Sequence, residues 1–213
     1  PDEAGEALRA AAAGDDPEQD LGLAEARPRP GDAVVARQRE LAAPAERNGV
    51  PTEKLFGTIA KMKENGELAA FRFSARNEWV EGTASRSSIY EWYGAGADQV
   101  HVEEFDFVAD HPTLGHGLGP TPQEYVLHAL AACITAGVAT GAAARDIELQ
   151  KVSSKVSADI DVRGVLGIDP DIRKGFSDVR VEFDVEADAE PAVIDALVAS
   201  ATKYSAVYDM LTS

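Results

Sequence analysis

Residues 119–133 decide the fold of this chain and read GPTPQEYVLHALAAC. Thr121 supplies an N-cap hydroxyl, Pro122 stands at the first helical position and Glu124 at the third, which together make a capping box. The helix that begins here is predicted to continue to about Ala144, with almost no charge in its interior. Because a helix that is apolar nearly all round is buried nearly all round, we expect it at the centre of the fold.

The second half of this helix is dominated by Ala, Gly and Thr, whose small side chains allow another backbone to come close. One chain of 213 residues has little material with which to surround such a helix. A second copy is the natural supply, so we expect a homodimer in which more than half of the 121–144 helix is buried.

The charge of the chain excludes two classes of partner. Its 37 acids and 20 bases give a net charge of −17, and no window gathers a basic stripe. Proteins that bind nucleic acid or anionic membranes normally carry such a stripe, so we expect neither partner. No run approaches the roughly 18 apolar residues that span a bilayer. We expect a cytoplasmic protein without a membrane-spanning segment.

Two regions differ in composition. Residues 1–50 form an N-terminal arm rich in Ala, Pro and acids, with short helices predicted near 3–13 and 32–42, and residues 51–213 have the pattern of a packed domain. The arm is either a flexible tail or a segment that orders by packing on the domain or on a partner chain. In the second case its apolar residues would face inward: Leu21, Leu23, Val34, Val35 and Leu41.

Helical and alternating patterns predict the remaining elements of the domain. A helix should run from about residue 51 to Asn65, and a last short helix should begin at Ser205. The other predicted segments are alternation over 69–76, strands over 79–90 and 99–108, a turn at 94–96, strands over 152–162 and 179–186 with a turn near 163–167, and a helix from Pro191. The order βββ-α-ββ-αα favours an α+β fold with antiparallel sheets.

Cys133 is the single cysteine, which excludes an intrachain disulfide and any cysteine-built zinc site. Its neighbours on the helix are apolar, so it is either a small buried hydrophobe or a nucleophile activated by a group from elsewhere in the fold. His128 lies about 140° round the helix from Cys133 and cannot activate it.

The remaining candidate residues carry weaker signals. Asp110, His111 and His116 share one loop, but their spacing matches no compact metal signature. No nucleotide-binding or hydrolase motif is present, and we expect no metal and no cofactor. Three aromatic residues either pack on a sheet or line a ligand groove: Trp79, Trp92 and Tyr93.

Residues 119–133 resemble the central helix of the OsmC/Ohr family, which reads roughly G-P-[ST]-P-x-E-x-L-L-x-A-L-x-x-C. Residues 161–176 resemble the hairpin that follows this helix, and residues 204–209 resemble the terminal S-P-V or C-P motif. The resemblance covers residues 70–213. It implies an intertwined α+β homodimer, in which antiparallel sheets wrap around long central helices.

The peroxidases of this family reduce organic hydroperoxides with one cysteine, which a second cysteine then resolves. The resemblance places Cys133 at the attacking position and Ser205, which cannot form a disulfide, at the resolving position. The family's catalytic glutamate directly follows the helix proline, where this chain has Gln123, and Glu124 comes one residue later. The family's activating arginine has three candidates on the upstream strands: Arg72, Arg76 and Arg86.

Three functions follow from these observations. The first is an organic hydroperoxide reductase in which Cys133 is resolved by an external thiol. The second is a non-catalytic protein that binds a small hydrophobic ligand near Cys133, and the third is an interaction protein whose arm recruits a partner. An arginine beside Cys133 would favour the first, an apolar surround the second, and an arm docked in the pocket the third.

Overall fold

The computed structural model describes residues 46–212. The helices predicted near 3–13 and 32–42, and the apolar residues predicted to face inward from the arm, lie outside the described residues. In chain order the elements are β1 (Glu46–Arg47), β2 (Val50–Pro51), α1 (Thr52–Glu64), a 3-10 turn (Gly66–Ala69), β3 (Arg72–Phe73), β4 (Arg76–Glu81), β5 (Ala84–Gly94), β6 (Ala97–Ala109), α2 (Pro122–Ala143), β7 (Leu149–Asp159), α3 (Val162–Val165), β8 (Asp178–Ala187), α4 (Pro191–Lys203) and α5 (Ala206–Thr212).

Besides the short β1–β2 hairpin, one antiparallel sheet precedes α2 in the sequence and another follows it. In the first, β5 is central, with β6 on one side and both β4 and β3 on the other. In the second, β7 pairs with β8. Helices and antiparallel sheets in this order confirm the predicted α+β class.

Several predicted strand boundaries are wrong. The strand expected over 79–90 is two strands, β4 and β5, which reverse at Gly82 with a φ of 53°. The alternation expected over 69–76 is interrupted, because its first residue belongs to the 3-10 turn and only Arg72–Phe73 pair before β4 begins. The turn expected near residues 163–167 includes the one-turn helix α3.

The core lies along one stripe of α2. Leu130, Ile134 and Val138 recur at helical spacing on this stripe, and each is at most 1% exposed. The remaining buried members of the cluster are Ala142, Ile147, Leu197 and Ala201. A Cβ on Gly137 would lie 3.1 Å from the Cβ of Ala201, so α2 uses a small residue to bring α4 close.

The opposite side of α2 is open in this chain. Ala132 and Ala136 are exposed there, and the buried residues of the helix number five: Leu130, Ile134, Val138, Ala142 and Ala143. Burial of more than half of the helix is therefore not reached within one chain. The expected burial of more than half of α2 is therefore a prediction about a homodimer.

One expectation about membranes needs correction. Among the described residues, α2 is long and apolar enough to cross a bilayer when judged by length and composition alone. The helix passes because Glu124, in the first turn, is its only residue among the four types Asp, Glu, Lys and Arg. Core helices of soluble proteins pass the same test, and α2 carries the core stripe of this domain.

The last residues of the predicted arm form the β1–β2 hairpin, which contacts the segment between α2 and β7. The side-chain amide of Asn48 donates to the carbonyl of Ile147 at 2.9 Å and accepts from the N–H of Leu149 at 2.9 Å. Arg47 forms an ion pair with Asp146 beside it. These contacts fix residues 46–50 to the end of the central helix.

Candidate functional site

Cys133 lies in the middle of α2, beside the buried stripe. Its neighbour Ile134 is fully buried and its neighbour Ala132 is exposed, so the thiol stands at the edge of the core and is half-buried. This position gives the sulfur an apolar surround on one side and access on the other.

The N-terminus of α5 supplies the groups that surround the sulfur. Burial raises the pKa of the Cys133 thiol, but hydrogen bonds from the Ser205 hydroxyl and from the backbone N–H groups of Val207 and Ala206 outweigh it. The pKa therefore lies below that of an ordinary thiol. Donors that point at a sulfur stabilise its thiolate form, which is the nucleophile.

Ser205 has two roles at this position. It is 3% exposed, and its hydroxyl accepts from the N–H of Tyr208 at 3.2 Å, which confirms the predicted N-cap of the last helix. The same hydroxyl lies near enough to Cys133 to lower the pKa of its thiol. The structure thus brings together two of the three predicted site residues.

Glu124, the third, is held at the start of α2. Its carboxylate accepts from the backbone N–H of Thr121 at 2.7 Å and from the Thr121 hydroxyl at 2.9 Å. These two bonds lower the pKa of Glu124. At about 1.5 Å of rise per residue, its Cα is more than 10 Å along the helix from that of Cys133. The capping box accounts for the observed contacts of this side chain.

Two of the three candidate arginines are engaged by other groups of the first sheet, and the third lies on one of its strands. Arg72 lies over the ring of Tyr93 and faces Asp98 at 3.9 Å, and Arg76 pairs with Glu91 at 2.8 Å. Arg86 stands opposite Val108 on β6. Within residues 46–212, only hydrogen bonds from neutral groups lower the pKa of Cys133.

Asp110 organises the loop between β6 and α2, a role the sequence analysis did not assign. It is 1% exposed, and one carboxylate oxygen accepts from the Thr83 hydroxyl and the His111 N–H, both at 2.7 Å. The other accepts from the N–H groups of His116 at 2.9 Å and Leu118 at 3.1 Å. These four bonds hold the pKa of Asp110 well below its usual range, although burial opposes them.

Two glycines of this loop are the sequence signal that could have revealed the role of Asp110. A Cβ on Gly115 would lie 2.0 Å from Oδ1 of Asp110, and a Cβ on Gly119 would lie 2.2 Å from the carbonyl oxygen of Val108. Neither distance is sterically possible. An acid followed by glycines at such spacing indicates a backbone folded around a carboxylate.

The histidines of the loop serve the same structure. Nδ1 of His111 faces the N–H groups of Thr113 at 3.3 Å and Leu114 at 3.2 Å. Among the residues that the structure describes, no three His, Cys, Asp or Glu side chains are grouped so that they could hold a metal ion.

A cleft of about 660 Å³ separates α2 from the face of the first sheet. Ile89, Phe107 and Ala129 give it an apolar lining, and Asn77 and His128 add polar groups. Trp92 and Tyr93 line a different cleft at the far end of the sheet. Trp79 is 73% exposed, and its indole N–H donates to Gly82.

Comparisons with known proteins identify the type of domain. Residues 115–213 match the family model described as OsmC-like protein. No curated protein matches the chain significantly.

Solved structures provide a comparison of the fold. An OsmC-like protein from Mycoplasma pneumoniae has a TM-score of 0.52 and 16% identity, over 67% of this chain and 88% of that one. An OsmC-like protein of unknown function from Vibrio cholerae has a TM-score of 0.48 and 12% identity, over 67% and 94%. An organic hydroperoxide resistance protein OsmC from Legionella pneumophila has a TM-score of 0.43 and 16% identity, over 66% of this chain and 90% of that one. At 16% identity, the likeness to the Mycoplasma protein concerns the fold alone.

Proposed function

We propose that this chain, whose residues 115–213 match the OsmC-like family model, is a thiol-dependent reductase of organic hydroperoxides with Cys133 as its nucleophile. The observation that carries the proposal is the contact between the Cys133 thiol and the N-terminus of α5, where three donors lower the pKa of the sulfur. A structural cysteine in an apolar core would have its pKa raised by burial alone.

In the proposed reaction, the Cys133 thiolate attacks the terminal oxygen of a hydroperoxide. The S–O bond forms as the O–O bond breaks, so the sulfur is oxidised to sulfenic acid. The other oxygen leaves as an alkoxide, which takes a proton from water and becomes an alcohol. The donors on α5 contribute by keeping the sulfur deprotonated before the attack.

An external thiol completes the proposed cycle, because Cys133 is the single cysteine and Ser205 is its neighbour on α5. One thiol attacks the sulfenic sulfur, releases water and leaves a mixed disulfide. A second thiol attacks that disulfide, frees Cys133 and departs as an oxidised pair.

We also propose that the working form is a homodimer. The open side of α2 carries Ala132 and Ala136, and the first sheet leaves large apolar side chains exposed, among them Phe73 at 77% and Val102 at 85%. Patches of this kind mark interaction surfaces. A second copy would cover them, and it would also have the opportunity to bring a cation to the thiol, which lacks one among residues 46–212.

Peroxide consumption tests the proposed activity. The full chain should consume tert-butyl hydroperoxide with dithiothreitol as the reductant, and Cys133→Ser should abolish turnover. Ser153→Ala, on an exposed part of β7, is the matched control and should leave the rate unchanged. Mass spectrometry of peroxide-treated protein should find Cys133 as sulfenic acid, sulfinic acid or a mixed disulfide. Turnover that survives Cys133→Ser would refute the thiol mechanism.

The cleft between α2 and the first sheet favours a second function, the binding of a small hydrophobic ligand without turnover. Its volume of about 660 Å³ and its apolar lining with a few polar groups fit the usual form of a small-molecule site. Saturable binding of an apolar dye that is lost in Ala129→Asp, together with no peroxide consumption, would favour this function over the first.

A further inference from the structure

A separate cleft of about 400 Å³ lies beside α5, between the first turns of α2 and the segment that precedes β8. Gln123 at the start of α2 adds a polar group to its wall, and the large apolar side chains of the wall come from four parts of the chain: Val126, Ile160, Phe176, Val179, Met210 and Leu211. Arg173 and Lys174, which follow one another in the chain, also line it. The cleft therefore combines a hydrocarbon surface with two cations.

The two cations are available for a ligand. Nε of Arg173 donates to the carbonyl of Phe176 at 2.9 Å, which fixes the side chain over the turn and leaves its terminal nitrogens for other partners. Within residues 46–212, neither Arg173 nor Lys174 forms an ion pair with a carboxylate. By contrast, the nearby Arg163 and Arg180 each pair with an aspartate.

The charge of the rest of the molecule makes this pair unusual. The chain carries a net charge of −17, so its general field repels anions. Two adjacent cations without acidic partners, placed over an apolar wall, select a ligand with a negative head and a hydrocarbon tail. A neutral chain would lose the ion pairs, and a small anion would lose the burial of its tail.

We propose that this cleft binds an anionic amphiphile, of which a medium-chain carboxylate is the simplest example. Arg173 and Lys174 hold the carboxylate, and the tail lies against Phe176, Met210 and Leu211. A volume of about 400 Å³ is at the lower end of the range for small-molecule sites and suits a single chain of about ten carbons. This inference does not rest on the proposed reaction of Cys133.

Calorimetric titration of the full chain tests the inference, with decanoate below its micellar concentration as the probe. Decanoate should bind saturably, while decanol and acetate should each bind at least tenfold more weakly. The double variant Arg173→Gln/Lys174→Gln should lose at least tenfold in decanoate affinity, and Met210→Gln, on the wall, should lose severalfold. Lys155→Gln, at an exposed lysine of β7, is the matched control and should bind as the original chain does.

Circular dichroism and melting of the double variant separate loss of the site from loss of the fold, since both substituted residues are exposed. Equal binding of decanoate and decanol would overturn the inference, as would undiminished decanoate binding by the double variant. Absence of saturable binding would overturn it too, and a double variant that changes the sedimentation of the protein would assign the cleft to a contact between copies instead.

Discussion

Large apolar side chains are buried in the second half of the described chain and exposed in the first half. From α2 onward, apolar side chains meet one another, and Leu130, Ile134 and Val138 are almost fully buried. Before α2, the first sheet exposes its large side chains, with Phe73 77% and Trp79 73% exposed. Among its strand residues, only Ala84 and Gly94 are buried.

We infer that the two halves obtain their stability from different sources. The second half builds a core from its own helices and strands, because α2 presents one apolar stripe to α4, β7 and β8. The first half has strands but little to cover them, and a sheet needs cover on at least one face. Its stability therefore depends on what lies outside residues 46–212 of one chain, for which we propose a second copy.

The largest expected effect belongs to the self-contained half. Ile134→Ala removes a fully buried side chain from the core stripe, and a cavity of this kind costs about 2–5 kcal/mol. Urea unfolding should show that loss as a lower midpoint, with a similar free-energy change at every protein concentration. A cost below about 1 kcal/mol would show that the stripe is not the centre of the core.

The next expected effect concerns the first sheet. Phe105→Ser removes an aromatic ring that lies opposite Ile89 on the sheet, and if a second copy covers it, the dimer dissociation constant should rise by about tenfold or more. Sedimentation velocity over a dilution series measures this change. Glu78→Gln, opposite Arg86 on another part of the same sheet, is the control and should leave association unchanged. A folded monomer at micromolar concentration before any substitution would contradict the dimer.

The next prediction concerns the stabilising role of Asp110 in the loop that joins the two halves. Asp110→Asn replaces an acceptor with an amide whose N–H₂ would face backbone donors, so the melting temperature at neutral pH should fall by several degrees. Since the pKa of Asp110 is lowered in the fold, its contribution is present above the unfolded pKa of about 3.9 and is lost as pH falls through the folded pKa. Calorimetry should show the two proteins converging in strong acid. A constant difference at all pH values would contradict the assignment.

The sequence predicted the elements whose signals are local. The capping box at Thr121, the alternation of β8 and the N-cap at Ser205 each involve neighbours in the chain, and each is confirmed. The boundary between β4 and β5 was missed. The chain reverses at Gly82, but the strand-like sequence pattern is similar before and after this residue and does not mark the turn.

The candidate site depended on contacts that no local pattern encodes. Ser205 meets Cys133 across a separation of 72 positions, and only the resemblance to a family placed the two together in advance. The burial of Asp110 was likewise not predicted, because hydrophobic patterns do not indicate a buried carboxylate. An activating arginine was expected on the upstream strands, yet Arg72 and Arg76 face carboxylates of their own sheet.

A smaller effect is expected at Ser205. Ser205→Ala removes the cap of α5 and should cost about 1 kcal/mol of unfolding free energy in a urea titration. It also removes one of the donors to Cys133, so the pKa of the thiol should rise and its reaction with peroxide at pH 7 should slow severalfold. An unchanged rate would mean that the hydroxyl does not stabilise the thiolate.

Ser205→Cys provides the complementary test. It places a second thiol beside Cys133, and mass spectrometry after peroxide treatment should find an intrachain disulfide in place of the mixed disulfide with an external thiol. Ser200→Cys, five residues earlier in the chain on α4, is the matched control and should form no such bridge. A bridge in the control alone would show that α5 does not present residue 205 to Cys133.

The pH dependence of Cys133 alkylation by iodoacetamide measures the stabilisation of the thiolate, because Cys133 is the single cysteine and only its thiolate reacts. We expect a midpoint below that of an unperturbed thiol, and a shift of that midpoint to higher pH in Ser205→Ala. A midpoint at or above that of an unperturbed thiol in the original chain would contradict this expectation, since burial alone would then govern the sulfur.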